Sequence, residues 1–263
     1  MSVGSGNNEK YMLGSVSNAL EVLDLLSEHE QLGPAEISKM LGISKATAFR
    51  LLSTLESRGY VIKNSDAKYM LGKKLAYLGE IVTSRQDNYA LARPELLKLR
   101  DMINETIHMS VLLSNLNMMF IEKISPDRNL RMQSKIGFEQ PAYSYASGKV
   151  LLSGLIGTSR EKELESIKFK KLTNTTITSH SELMKELNAI RIYGYGVDDE
   201  ESEVGLTCFA VPVYNADQRI SCAISASGTT QRMRENKEKY ISALKETALK
   251  ITELLGGTMP ESK

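Results

Sequence analysis

The chain has 263 residues, with 33 Lys and Arg against 32 Asp and Glu, a formal net charge of +1, 41% hydrophobic and 25% charged residues. That length suits two domains with packed cores, and no stretch approaches the roughly 18 consecutive apolar residues that span a membrane. The two cysteines, Cys208 and Cys222, fit a reducing cytoplasm, and neither they nor the scattered His29, His108 and His180 show metal-ligand spacing, so neither metal nor cofactor is expected.

The first residues, Met1-Ser-Val-Gly-Ser-Gly-Asn-Asn-Glu, lack a basic and hydrophobic signal region and read as a short disordered lead-in. Val16, Ala19, Leu20, Leu23 and Leu26 then form an apolar stripe, predicting a helix that covers the next two. Residues 34–55 predict a helix, a tight turn and a second helix. Pro34 suits a first helical position, and Ala35, Ile37, Met40 and Leu41 are expected to turn inward. Gly42 supplies the left-handed stop, and Ser44 caps a helix whose Ala48, Leu51, Leu52 and Leu55 fall at i, i+3, i+4 and i+7. Its outer face carries Ala46, Thr47, Arg50, Ser53 and Thr54, with Lys45 at the start. Small hydroxyls and cations on such a face suit a DNA major groove.

Tyr60-Val61-Ile62, the polar tip Asn64-Ser65-Asp66-Ala67 and Lys68-Tyr69-Met70-Leu71 predict a hairpin, which makes the region a winged helix-turn-helix. Charge follows the same outline. Residues 37–74 hold eight cations and two anions, residues 1–36 are net −5, and residues 75–263 balance to zero. Positive charge confined to one motif predicts phosphate binding there. Candidate DNA-contacting residues are Ser44, Lys45, Thr47, Arg50 and Lys68.

Leu71, Leu75, Leu78 and Val82 step at helical spacing, a linker helix that pairs either with a second subunit or with its own domain. A helix follows with Leu96, Leu97, Leu99, Met102 and Ile103. Thr106–Leu113, Met118–Ile124 and Leu130–Lys135 read as strands, Gly137–Pro141 as a loop and Ser147–Leu155 as a short helix. Ser179 and Glu182 form a capping box for a helix that stops near Gly194. Thr207–Val213 and Ile220–Ser227 flank a turn as a hairpin, and Ile241, Leu244, Ala248, Ile251 and Leu255 mark the last helix. Hairpins mixed with helices predict an α+β domain built on an antiparallel sheet. The expected boundaries are 11–72 for the DNA-binding domain, 73–88 for the linker helix and 89–258 for the second domain.

From Val16 to Leu255 the chain resembles the IclR-type transcriptional regulators. The resemblance is carried by Ser17-Asn-Ala-Leu-Glu-Val-Leu-Asp-Leu-Leu26, the helix-turn-helix from Ile37 to Leu52, Tyr69-Met-Leu-Gly72, Pro141-Ala-Tyr-Ser-Tyr-Ala-Ser-Gly-Lys149, Gly194-Tyr-Gly-Val-Asp-Asp-Glu-Glu201, Gly205-Leu-Thr-Cys-Phe-Ala-Val-Pro-Val213 and Ile224-Ser-Ala-Ser-Gly228. It implies a GAF-like effector domain for a small organic acid of the 2-oxo, sugar or aromatic class, a homodimer or homotetramer, and a double-stranded DNA operator whose binding the acid controls, with repression favoured over activation. By position it implies a site of Ala146 and Ser147 through backbone N–H and Asp198, Cys208, Ser225 and Ser227 through side chains, with Met132 and Leu206 as the apolar wall. The physics agrees: a helix start at Ser147 offers N–H groups to a carboxylate, and Ser225 and Ser227 alternate onto one strand face. Tyr143 and Tyr145 depart from the family's usual residues, and Tyr145 would change the volume of the site if it reached it. The alternative function is a hydrolase-like enzyme with Ser147 or Cys208 as nucleophile; it lacks a base in a recognisable motif. No catalytic residue is expected.

Overall fold

The computed structural model describes residues 12–85, 87–128 and 134–258. The chain divides into two compact units, with the division between Asp87 and Asn88.

In the first unit, α1 (Gly14–Glu28), α2 (Pro34–Leu41) and α3 (Lys45–Ser57) precede a hairpin of β1 (Val61–Lys63) and β2 (Tyr69–Leu71), and α4 (Lys73–Arg85) follows. Gly42 closes α2 at φ 65°, a left-handed conformation that glycine adopts without strain. Glu36 accepts the backbone N–H of Gly33 at 2.7 Å, so the start of α2 is capped from within its own first turn. Val22, Leu26, Ile37, Ala48, Leu52, Val61 and Tyr69 form the core, and Leu32 bridges to Tyr69, adding an edge to the wing.

The α1 stripe is rotated from expectation. Val22 and Leu26 enter the core, whereas Val16 and Leu20 are exposed. Periodicity gave the helix but not where its contact begins: burial on α1 starts only at Val22. On α2, Ile37 is buried and Leu41 half-buried, but Ala35 and Met40 face outward, because eight residues present one narrow inward stripe. Leu75 and Leu78 are half-buried; the side chain of Val82 lies outside the described residues, and Leu71 belongs to β2 rather than to the helix.

The second unit opens with α5 (Asp87–Ala90), which spans the division, and α6 (Arg93–Ile103). Then come β3 (Thr106–Leu112), β4 (Asn117–Ile124), β5 (Glu139–Pro141), α7 (Ala146–Ser153), α8 (His180–Tyr193), β6 (Gly196–Asp199), β7 (Leu206–Tyr214), β8 (Ile220–Thr229), α9 (Thr230–Glu235) and α10 (Lys237–Leu254). The strands make one six-stranded antiparallel sheet in the order β5-β4-β3-β8-β7-β6. Ile107, Met109, Phe209, Val211 and Ile224 pack on one face with α6 and α10. Met118, Phe120, Cys208, Ala210 and Ala223 pack on the other with α7 and α8. Burial on both faces is why β7 and β8 are nearly continuous small and apolar runs.

Three further readings change. Glu139–Pro141 is an edge strand rather than a loop, because its backbone pairs with Asn117–Met119. Met102 is exposed, whereas Leu96, Leu99 and Ile103 of α6 are buried in the core and Leu97 packs partly against it. Of the expected strand Leu130–Lys135, residues 130–133 lie outside the described residues, and Ser134 and Lys135 are not in a strand.

Candidate functional site

In the first unit, Ser44 is the N-cap of α3. Its Oγ accepts the N–H of Thr47 at 3.1 Å and shares a 2.8 Å hydrogen bond with the Thr47 hydroxyl. These two hydroxyls thus hold the helix start together, and Ser44, Lys45 and Arg50 are the exposed members of the expected set. Thr47 and Lys68 are half-buried. Phe49, which the sequence reading passed over, is 55% exposed on the same helix. An apolar side chain there can meet a thymine methyl.

In the second unit the expected residues converge on one sheet face. Asp198 on β6 lies opposite Cys208 on β7, Cys208 opposite Ser227 on β8, and Ser227 opposite Thr106 on β3. The parallel row two residues along runs through Gly196, Ala210, Ser225 and His108. Directly opposed residues share a face, so Asp198, Leu206, Cys208, Ser225 and Ser227 look toward α7. Ala146 and Ser147 form the first turn of α7, which no side chain caps. Gly148 keeps this turn close to the preceding chain: a Cβ there would lie 2.2 Å from the carbonyl oxygen of Ala142. Met132 lies outside the described residues.

Each polar group has an identifiable environment. Asp198 is fully buried; its Oδ1 accepts the N–H groups of Glu201 and Ser202 at 2.8 and 3.2 Å, and its Oδ2 accepts the Ser202 hydroxyl at 2.6 Å. Both oxygens therefore brace the loop after β6. Burial raises its pKa, opposed by the Ser202 hydroxyl and the loop N–H groups. Burial also pushes the Cys208 thiol well up, and the Asp198 charge acts in the same direction, so Cys208 is a neutral thiol. Ser147 donates to the Met118 sulfur at 3.4 Å.

The tyrosines divide. The Tyr143 hydroxyl donates to the Lys170 carbonyl at 2.9 Å and accepts the Lys170 N–H at 2.7 Å, pinning that segment. Tyr145 stands edge-on to Phe120, with ring centroids 6.1 Å apart, and donates to Gln140 Oε1 at 3.1 Å. Burial, helped by the charge of Asp198, pushes its phenol up to about 12.

Thr106, His108 and Ser110, outside the expected set, lie on the same sheet face. Their signal was the strict polar–apolar alternation of Thr106-Ile-His-Met-Ser110. His108 is fully buried, its ring centroid 4.2 Å from that of Phe120, with Nε2 2.6 Å from the Ser134 hydroxyl. Burial, reinforced by nearby Lys123, lowers it to about 3, so the imidazole is neutral at ordinary pH. Among the described residues, no group of three or more His, Cys, Asp or Glu could hold a metal, and no helix is long and apolar enough to cross a membrane.

Two family models match: the IclR helix-turn-helix domain over residues 15–65 and the bacterial transcriptional regulator IclR C-terminal domain over residues 81–253. The chain is 36% identical over 247 residues to the HTH-type transcriptional regulator KdgR of Escherichia coli K12, spanning 92% of this chain and 94% of that protein. It is 32% identical over 253 residues to the DNA-binding transcriptional repressor YiaJ of the same organism, spanning 93% and 89%. The crystal structure of the Thermotoga maritima IclR superposes with a TM-score of 0.81 at 29% identity, over 93% of this chain and 100% of that one. The chain therefore belongs to the IclR family of DNA-binding bacterial transcriptional regulators.

Proposed function

We propose that the protein is a cytoplasmic repressor whose grip on a double-stranded operator is set by a small organic acid. Residues 11–72 read DNA, 73–88 link, and 89–258 sense the acid. The observation that carries the reading is that α7, whose start at Ala146–Ser147 no side chain caps, packs on the sheet face that carries the in-register row Asp198–Cys208–Ser227–Thr106. N–H groups at a helix start favour a carboxylate, and the row offers the rest of the acid hydrogen-bonding partners on one face. Cys208, Ser225, Ser227 and Leu206 line that face, while Asp198 holds the adjoining loop in shape. Repression is the role of its relative YiaJ, a DNA-binding transcriptional repressor.

Lys45, Arg50 and Phe49 are the base- and phosphate-facing groups of α3, with Ser44 and Thr47 fixing its start and Lys68 on the wing. A single winged helix covers one half-site, so two copies related by symmetry bind the operator. Leu13, just before α1, with Val16 and Leu20 on it, all exposed, give the second copy an apolar ridge. An enzymatic reading is weakened by the neutral Cys208 thiol and by Ser147, whose hydroxyl engages a thioether rather than a base.

The test begins with selection of operator sequences from random duplex DNA by the full-length protein. Operator affinity is then measured against panels of 2-oxo, sugar and aromatic acids. At least one acid should change that affinity by about 5–150-fold, the usual range of allosteric coupling. If the selection yields no sequence preference, the DNA-reading assignment falls; if no acid shifts affinity, the sensor assignment falls.

A further inference from the structure

We infer that Thr106, His108 and Ser110 on β3 form a hydroxyl-reading wall of the effector site, so that the acid it takes is polyhydroxylated. The inference deepens the sensor reading above and rests on the carboxylate seat at α7. Three side-chain atoms carry it: Thr106 Oγ1, His108 Nδ1 and Ser110 Oγ. Each belongs to a residue with no exposed surface, and each lacks a hydrogen-bond partner among the described residues. Buried polar atoms are nearly always paired, and leaving one unpaired costs the folded chain its desolvation penalty. Three on alternate residues of one strand, all on the face packed against α7, are a row rather than an accident of packing.

The neighbouring apolar residues of the strand behave oppositely. Ile107 and Met109 fill the other core without any polar atom. The register sets the three groups beside the residues already assigned: Thr106 opposite Ser227, His108 opposite Ser225 and Ser110 opposite Ala223. His108 is held by its Nε2 contact with Ser134 and by the Phe120 ring, leaving Nδ1 as its unengaged edge. A neutral imidazole offers one donor and one acceptor, and each hydroxyl offers both. Residues 106 to 110 extend about 13 Å along the strand. A two- or three-carbon acid held at α7 would leave most of this row untouched, and an aromatic acid would leave its hydroxyls unsatisfied. An acid of five or six carbons with several hydroxyls reaches from one of these groups to the next along the strand and matches them in chemistry.

Calorimetric titration of the full-length protein with D-gluconate and D-galacturonate, against hexanoate and benzoate as hydroxyl-free acids, tests the inference. At least one sugar acid should bind about tenfold or more tighter than either control. Thr106→Val and Ser110→Ala should each weaken that sugar acid about five- to tenfold and leave the binding of hexanoate unchanged. Both variants should also melt at or above the wild-type temperature, because each removes an unpaired buried hydroxyl; a merely structural role would lower it. His108→Gln, which keeps an amide near the Nε2 position but removes Nδ1, should weaken the sugar acid in the same way. Sugar acids and controls binding alike, or unchanged sugar-acid affinity in all three variants, would overturn the inference while the carboxylate seat stands. If none of the four acids binds, the seat itself fails and the inference fails with it.

Discussion

Lys149 on α7 is ion-paired to Glu201, in the loop after β6, with 1% and 9% of their side-chain surfaces exposed. Glu186 lies 3.5 Å from the same ammonium, and Asp198 braces the loop that carries Glu201. Thr176 donates to the Glu201 carbonyl at 2.7 Å, so the loop is also held from outside. The helix proposed to seat the carboxylate is thereby tied to the loop beside the proposed pocket by one buried charge pair.

Lys149→Met should destabilise the second unit by about 3 kcal/mol, because it leaves a buried carboxylate without its cation. The loss depends on pH. Burial already pushes Glu201 up to about 7 against the pull of Lys149, and without the lysine it rises further. A raised carboxylate pKa disfavours the folded state as pH climbs above the unfolded value of 4.5, so the defect should be greatest near pH 8 and small near pH 5. Denaturant melts of the variant at both pH values check this. Lys149→Met/Glu201→Gln should recover most of the loss at pH 8; a double variant as unstable as the single one would contradict the account.

His108 acts with the opposite sign. Its folded value near 3 lies below the ordinary 6.5, so its contribution is fully present above pH 6.5 and is lost as pH falls toward 3. The slope should approach about 1.4 kcal/mol per pH unit in that window. Subtracting the stability curve of His108→Gln from that of wild type isolates it. Equal slopes in the two proteins would mean that the imidazole titrates normally.

Arg50→Ala should leave the melting temperature unchanged, since the side chain is exposed and the α3 core residues are Ala48 and Leu52. Operator affinity should fall by about 1–3 kcal/mol, with preference relaxed at one base position. Phe49→Ala should act similarly at a thymine, without altering the salt dependence that phosphate contacts set. Anisotropy titrations on the selected operator and its single-base variants distinguish base reading from phosphate contact.

Asp198→Ala should cost about 1–3 kcal/mol, because it leaves the Glu201 and Ser202 N–H groups without their acceptor. Asp198→Asn keeps a carbonyl oxygen for those N–H groups and should stay close to wild type in stability. Operator binding without effector should be nearly normal in both. Effector binding that falls in the alanine variant and recovers in the asparagine variant would identify loop geometry, rather than the carboxylate's charge, as what the pocket needs.

The elements were legible where a local rule decides them. Gly42, Ser44 and the 3.6-residue spacing of Ala48, Leu51, Leu52 and Leu55 specify the helix-turn-helix, and Ser179 with Glu182 specifies the start of α8. What escaped depends on partners far away in sequence. Val16 and Leu20 lie on the apolar stripe read with Leu23 and Leu26, and only the packing of the three helices decides that the covered face turns toward Val22. Glu139–Pro141 becomes a strand because β4 offers it an edge. Of the proposed site, Asp198, Cys208, Ser225 and Ser227 come from the family resemblance. Thr106, His108 and Ser110 join them only because β3 pairs with β8, a register that no local pattern contains. The Lys149–Glu201 pair, 52 residues apart, was invisible for the same reason.

The most direct test of the account is linkage between the two units in the full-length protein. For any acid that shifts operator affinity, the affinity of that acid is measured by calorimetry on the free protein and on the operator complex. If the acid binds the second unit and controls DNA through the protein's conformational equilibrium, the factor by which acid changes operator affinity must equal the factor by which operator changes acid affinity. Equal factors of about fivefold or more, abolished together by a variant that removes acid binding, are predicted. An acid that binds with the same affinity whether or not the operator is bound would contradict effector control of DNA binding.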